Sequence, residues 1–340
     1  MKNMPNTPPA LTIDSAKALE SLLDRAVYAG FDAGTLERHR MQTHLFVEDE
    51  GEARCSLWWS EVPPLPGERL GVLGHFAATS LAASLSLFDA AFARLRVQGC
   101  TLAVGPMDGN TWRSYRLVSE RGSEAAFFME PQNPVLWPQW FEAAGFTPLA
   151  HYVSALNDDL AQQDERVPRT LARLQSSGVQ FRSLDLAKLD DELHAIHRLS
   201  LTSFADNFLY TALEATDFIN QYRSLLPKLD AELILLAERD GVLVGYLFAL
   251  PDFNQPLARL ALDTCIIKTI AVLPGRENAG LGAVLAAQCQ GIARMKGYRR
   301  VIHALMHEHN ESLRLSARYA RIMRRYTLYQ ARLAQPGAPL

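Results

Sequence analysis

Hydrophobic and polar positions along this chain follow two rhythms, a period near two and a period near 3.6, and the switches between them mark its elements. Over 232–239 and 242–251 the residues are apolar and β-rich. Asp240-Gly241 between them supplies the positive φ angles of a two-residue turn, which predicts a hairpin. A third strand over 264–272 stops at Leu273-Pro274-Gly275. After it Leu281, Val284, Leu285, Ala287 and Ile292 recur at helical spacing within 280–295, closed by Lys296-Gly297. An extended segment at 179–184, helices over 189–204 and 217–226, a strand over 301–306, a short helix over 311–319 that Asn310 can cap, and a last strand over 321–332 complete the order β-α-α-β-β-β-α-β-α-β.

The first half carries a weaker echo of that order: strands over 53–61 and 69–77, a long helix over 81–97, a strand over 101–105 and a helix over 111–118. Residues 161–178 are polar, contain a proline and end in Ser-Ser-Gly, the composition of a connection between domains. The expected organisation is therefore a disordered terminus at 1–10, a first domain at 11–160, a connection at 161–178, a second domain at 179–334 and a tail at 335–340.

Composition narrows the class. With 340 residues, 48% hydrophobic and 21% charged, the chain is long and apolar enough for two ordinary cores, which excludes a disordered or disulfide-stapled scaffold. Cys55, Cys100, Cys265 and Cys289 are scattered and never form CxxC, as expected of reduced thiols in the cytoplasm. No apolar run approaches the roughly 20 residues of a membrane span, and no secretion signal is visible, so a cytoplasmic location without a membrane partner is expected. The net charge of −3 hides an asymmetry: residues 1–160 hold 12 Lys+Arg against 19 Asp+Glu, and residues 161–340 hold 22 against 18. Ten of those basic residues fall within 291–340, a distribution suited to phosphate groups. No motif for nucleic acid accompanies it, so nucleic acid is not expected as a partner.

The stretch that carries chemistry is Thr269 to Leu285, a strand entering a glycine-containing loop that opens a helix. Gly280 and Gly282 remove Cβ atoms, so an anion can approach the first-turn N–H groups and the positive end of the helix dipole. A Walker loop would need Lys-Ser/Thr where Ala283-Val284 stands, and a dinucleotide fingerprint would need a third glycine and a later acid.

On these residues the second half resembles the GNAT superfamily of acyl-CoA-dependent N-acyltransferases. The element order agrees over 179–332, and Glu277-Asn278-Ala279-Gly280-Leu281-Gly282 fills the place of the family's Q/R-x-x-G-x-G/A loop, with Val272 and Pro274 ahead of it. Glu277 departs from the usual Gln or Arg, and Arg276 is positioned to supply the charge instead. The first half resembles a degenerate GNAT-like domain in the phrases Gly105-Pro106-Met107-Asp108-Gly109-Asn110-Thr111-Trp112 and Phe128 to Pro134; its own loop over 77–82 lacks the glycine pair, so no acyl-CoA is expected there.

The resemblance implies an α/β fold of two tandem domains, each a mixed, mostly antiparallel sheet flanked by helices, and an enzyme moving an acyl group, with acetyl-CoA as the expected donor, to an amine. It also implies cofactor contacts from Ile270, Ala271, Val272, Arg276, Asn278, Ala279, Gly280, Leu281, Gly282 and Asn310. A tyrosine returns a proton to the thiolate, Tyr319 in first place and Tyr326 in second, and Asp263 or Glu308 serves as base. No metal is expected. His303, His307 and His309 share a strand face and are expected to line the acceptor cleft or relay protons. The acceptor is expected to be a small-molecule or peptide amine and the protein a monomer or homodimer. A non-catalytic acyl-CoA-binding or regulatory module is the alternative.

Overall fold

A computed structural model describes residues 10–13, 16–162, 164–223, 225–255 and 262–333. The expected disordered terminus, except Ala10, and the expected tail lie outside these. In chain order the strands are β1 (Leu11–Ile13), β2 (Thr43–Glu48), β3 (Glu52–Trp58), β4 (Leu70–Ala78), β5 (Leu102–Gly105), β6 (Leu117–Glu120), β7 (Thr147–Asn157), β8 (Val179–Ser183), β9 (Ile234–Arg239), β10 (Val242–Pro251), β11 (Thr264–Val272), β12 (Arg300–His307) and β13 (Arg321–Arg332). The helices are α1 (Ala16–Glu20), α2 (Gly34–Arg38), α3 (Leu81–Val97), α4 (Trp137–Ala143), α5 (Arg166–Ser176), α6 (Leu189–Ser203), α7 (Ala215–Arg223), α8 (Leu281–Met295) and α9 (Glu311–Ser316).

All the strands join one sheet in the order β1-β2-β3-β4-β5-β13-β7-β12-β11-β10-β9-β8, with β6 beside β13. Among the described residues each half has a single parallel pair, β4 with β5 and β11 with β12, and antiparallel pairing elsewhere. The strand that follows each parallel pair comes from the other half: β13 pairs with β5, and β7 pairs with β12. The two halves thus exchange their last strands, and β7 against β13 forms the seam. The division at 161–178 separates the chain in sequence but not in the sheet.

Helices cover both faces because the strands alternate. Leu235, Ala237, Leu247 and Ala249 pack under α8 with Leu281, Val284, Leu285 and Cys289. The intervening Ile234, Leu236, Tyr246, Phe248 and Leu250 face α6 and α7. In the first half α3 packs through Leu87, Phe88, Ala91 and Leu95, and Phe76, Phe88, Phe141 and Phe146 stack edge and face against one another. All four cysteines are buried, and none is in a disulfide. No helix of the described residues is long and apolar enough to cross a membrane.

Two expected elements differ. The connection at 161–178 contains helix α5, whose Val167, Leu171 and Leu174 recur at i, i+4, i+7 and turn toward α8, with Pro168 in its first turn. The helix expected over 111–118 is absent. Pro106, Gly109 and Asn110 favour turns, Met107 bridges Tyr115, Arg116 has φ +69°, and the chain then enters β6. Asp240 (φ +52°) and Gly241 (φ +75°) make the expected hairpin turn. Asn310 stands at the N-cap of α9 but its side chain makes no capping bond.

Candidate active site

Strands β11 and β12 pair only from Thr264 with Arg300 to Ile267 with His303, and then diverge. Their separation is built into β12: the register with β7 shifts between His303 and Met306, and Leu305 takes φ +59°. A cleft of about 880 Å³ opens at this splay. Thr269 and Ile270 from β11 and Ala304 to His307 from β12 line it, and Trp112, Phe204, Phe208, Tyr210, Tyr222 and Phe248 give it aromatic walls.

The first half supplies one side. Residues 111–116 and 129–132 line the cleft; of the phrases singled out by sequence, Thr111 and Trp112 come from 105–112 and residues 129–132 from 128–134, while residues 113–116 lie outside both. Trp112 Nε1 donates to Thr211 O at 2.7 Å, and Phe128 N donates to Asp252 Oδ1 at 2.8 Å, so both phrases are tied to the second half. Arg116 is 6% exposed, lies 3.8 Å from the Tyr115 ring and 4.1 Å from the Tyr152 ring, and donates to Leu305 O at 3.4 Å.

Lys268 is a further cleft residue that sequence reasoning missed; its only sequence signal was a charge inside the apolar strand Thr264–Val272. Its Nζ donates to Met129 O at 3.3 Å. Burial first and the Arg116 guanidinium second push its ammonium down to about 7, against a smaller opposing pull from Glu130.

Of the residues expected to hold the donor, Ile270 and Asn310 line the cleft. Ala271 is buried against the α6–α7 core, and Val272 packs beside α8. The loop stands at the end of β11. Leu281, Gly282 and Ala283 precede the first intrahelical bond, Val284 N to Gly280 O, so their N–H groups have no acceptor in the helix. Asn278 is buried and braces the loop through Leu273 O and Arg239 Nη1, each at 3.0 Å. Arg173 of α5 donates to Glu277 O at 3.3 Å and to Ala279 O, while Arg276 is exposed beside them. These arginines give the loop the positive charge that Glu277 does not.

Gly280 has φ +79°, and a Cβ there would lie 2.8 Å from Thr170 Cγ2 on α5. Gly280→Val should therefore displace the loop, with a strain of about 1–3 kcal/mol, and should raise the Kd for CoA at least tenfold in calorimetry. Unchanged affinity would remove the loop from the donor site.

The expected proton-transfer residues are dispersed. Tyr326 is fully buried at the seam, bonded to Ser154 Oγ at 2.9 Å and donating to Glu130 Oε1, whose carboxylate also pairs with Arg324 at 2.7 Å. It does not line the cleft. Tyr326→Phe should lower stability by about 1–3 kcal/mol through the orphaned partners while leaving turnover intact; the opposite split would restore a chemical role. Tyr319 lies behind His303, ring centroids 5.6 Å apart, in the small recess against α8, and burial pushes its hydroxyl up to about 12. Asp263 sits where β11 and β12 are still paired, taking bonds from Gln255 at 2.5 Å and Thr264 at 2.8 Å. Glu308 is at the end of β12 next to His309, outside the cleft lining.

His303 and His307 line the cleft. His303 is occupied by Gln290 at 3.0 Å and Ser316 at 2.7 Å, and burial lowers it to about 4. At the first-half end of the cleft, which His39 and Asp108 line, His39, His75 and Asp108 have ligand atoms within 4.8 Å of one another. His39 Nδ1 bonds His75 Nε2 at 2.8 Å, and the chain continues through Ser56 to His44 and Tyr28. Burial lowers His39 to about 4 and His44 to about 3, with Arg54 and Arg113 acting in the same direction.

Unfolding lets these imidazoles bind protons, so their stabilisation is complete above about pH 6.5 and is lost as pH falls toward 4. Asp108, raised by burial to about 6, works oppositely between about pH 4 and 6, but it is one group against several. The melting temperature should fall between pH 6.5 and 4.5, and less steeply in His44→Phe; identical slopes would refute this origin.

Comparison with known proteins extends this geometry. Residues 193–318 match the model of the acetyltransferase (GNAT) family. A bacterial ceramide synthase of Caulobacter vibrioides (strain NA1000 / CB15N) is 27% identical over 225 residues, which cover 64% of this chain and 59% of that protein's length. A GCN5-related N-acetyltransferase from Sphaerobacter thermophilus superposes with a TM-score of 0.50 at 14% identity, covering 99% of both chains. The glucosamine N-acetyltransferase region of a fungal multi-domain β-N-acetylglucosaminidase superposes with a TM-score of 0.52 at 14% identity, covering 95% of this chain and 38% of that one. At such identities the superpositions speak for the fold, and that fold includes both halves. The splayed parallel pair and the glycine loop opening α8 both fall within residues 193–318, the stretch that matches the acetyltransferase (GNAT) family.

Proposed function

We propose that this protein is an acyl-CoA-dependent N-acyltransferase whose acceptor is an amine carrying a long apolar chain. The observation that carries the reading is the aromatic-walled cleft at the splay of β11 and β12, large enough for a ligand of drug size or more and reached from the donor strand. A relative named as a ceramide synthase supports it, since a ceramide is an amide of a long-chain amino alcohol. Among the residues present, the free N–H groups of Leu281, Gly282 and Ala283, with Arg276 and Arg173, fit a pyrophosphate, and the edge of β11 at Ile270 fits an amide-bearing arm.

In this reading the acceptor amine attacks the thioester carbon, the C–N bond forms and the C–S bond breaks. Lys268, half-neutral near pH 7, takes the amine proton and returns it to the departing sulfur. The four buried thiols, none in a disulfide, suit a reducing compartment, and we place the reaction in the cytoplasm.

The test is to incubate the purified protein with acetyl-, octanoyl- or palmitoyl-CoA and a panel of amines including sphinganine, a short alkylamine and a lysine peptide. Thiol release and the amide mass are followed. Turnover confined to the long-chain amine supports the acceptor class. Turnover of the peptide alone overturns it, and CoA binding without turnover of any amine would favour a binding module.

A further inference from the structure

Arg116 is a buried cation without an anion. It is 6% exposed, lies in the first half, and forms no ion pair with any described residue; its Nε has no hydrogen-bond partner. A guanidinium left so is unfavourable unless the site later brings negative charge to it. Its surroundings hold it still: the rings of Tyr115 and Tyr152 stand 3.8 and 4.1 Å from it, and Leu305 O, on the strained turn that opens β12, accepts from Nη1 at 3.4 Å. Leu305, Tyr152 and Arg116 all line the cleft at the splay, together with Lys268 of β11. A fixed charge, unlike a mobile surface arginine, is suited to charge that develops during a reaction.

Resting on the proposed N-acyl transfer, we propose that Arg116 donates to the thioester carbonyl oxygen as it gains negative charge under attack by the amine, so that the first half completes the active site of the second. The electron pair of the carbonyl π bond moves to that oxygen as the C–N bond forms, and it returns when the C–S bond breaks; Arg116 keeps its proton throughout. Its neighbours in the cleft are Lys268 from β11, His303 and His307 from β12, Glu130 from the phrase 129–132 and Asp108, His39 and Arg113 from the first half. Of these Glu130 is already paired with Arg324, which leaves Arg116 free to meet a new oxyanion.

The experiment compares wild type, Arg116→Gln and Arg116→Lys in kinetics and in binding. The binding probes are palmitoyl-CoA and a CoA-linked phosphonamidate whose tetrahedral anionic phosphorus stands in for the carbon under attack. Expected for Arg116→Gln is a kcat about 100-fold lower, palmitoyl-CoA Kd within threefold of wild type, and phosphonamidate affinity at least 30-fold weaker, with partial recovery of both losses in Arg116→Lys. A raised KM for acidic amines with kcat unchanged would assign Arg116 to a substrate anion instead. Equal loss of both ligands would make it a packing residue; either result overturns the proposal. If wild type binds neither CoA ligand, the functional reading itself fails, which this design separates from a failure at Arg116.

Discussion

A chain ending at Ala320 is expected to lose both halves of the sheet together, although the twelve-residue strand removed belongs by sequence to the second half. β13 lies between β5 and β7 and also pairs with β6. It buries Met323, Tyr326, Leu328 and Tyr329, and Leu333 just after it is buried too, each with at most 5% exposure. At about 1.5–3 kcal/mol for each large apolar side chain, burial alone comes to the order of 10 kcal/mol, comparable to the whole stability of an ordinary domain. Residues 179–340 expressed alone should likewise fail, because β12 then lacks β7 and exposes an unpaired edge. Circular dichroism and size-exclusion chromatography of the two truncations would show aggregation or loss of cooperative melting. A well-folded, monomeric 179–340 fragment would contradict the exchanged topology.

Lys268→Met is expected to lower kcat by about 100-fold or more and to remove the acid limb of the pH–rate profile. The sign follows from the proposed chemistry, in which the neutral amine is the base, so activity is present above about pH 7 and declines below it. Arg116 helps hold the lysine neutral, so Arg116→Gln should move the remaining acid limb to higher pH. Stability moves with it. The folded lysine releases its proton near 7 and the unfolded one near 10.4, so the unfolded state binds more protons in that window and stability rises with pH across it. Lys268→Met abolishes that slope and should melt higher near pH 6. A profile unchanged by the substitution would exclude Lys268 as the base.

Local patterns decided much of the fold. The period of two on either side of Asp240-Gly241 specifies the hairpin, because only a turn with two positive φ angles matches the twist of the flanking strands. The helix α3 over Leu81–Val97 and the strand β13 over Arg321–Arg332 have the expected bounds, since each is a long, unbroken periodic run. The glycine loop before α8 was legible for the same reason: Gly280 is required by its own φ and by Thr170 beside it. α5 was present in the spacing of Val167, Leu171 and Leu174 but masked by its polar composition, which reflects a helix with one narrow buried edge.

What depended on tertiary structure was everything that needed two distant segments to meet. Nothing in 147–157 or 321–332 states which half each strand completes, because strand pairing is a choice among partners far apart in the chain, made by which edges remain open after the local units form. That exchange carries residues 111–116 and 129–132 to the splay of β11 and β12, so that Thr111 and Trp112, the end of a phrase of no evident purpose, join a wall of the cleft with four residues beyond it. It also takes Tyr326 into the seam. Asp263 remains at the paired end of β11, and Arg116 and Lys268 stand together in one cleft, where the guanidinium pushes the ammonium toward its neutral form. Local patterns settle the local units and the glycine loop before α8; the cleft and its charges arise only from the pairing of strands that sequence proximity does not predict, because burial and electrostatics are properties of the assembled neighbourhood.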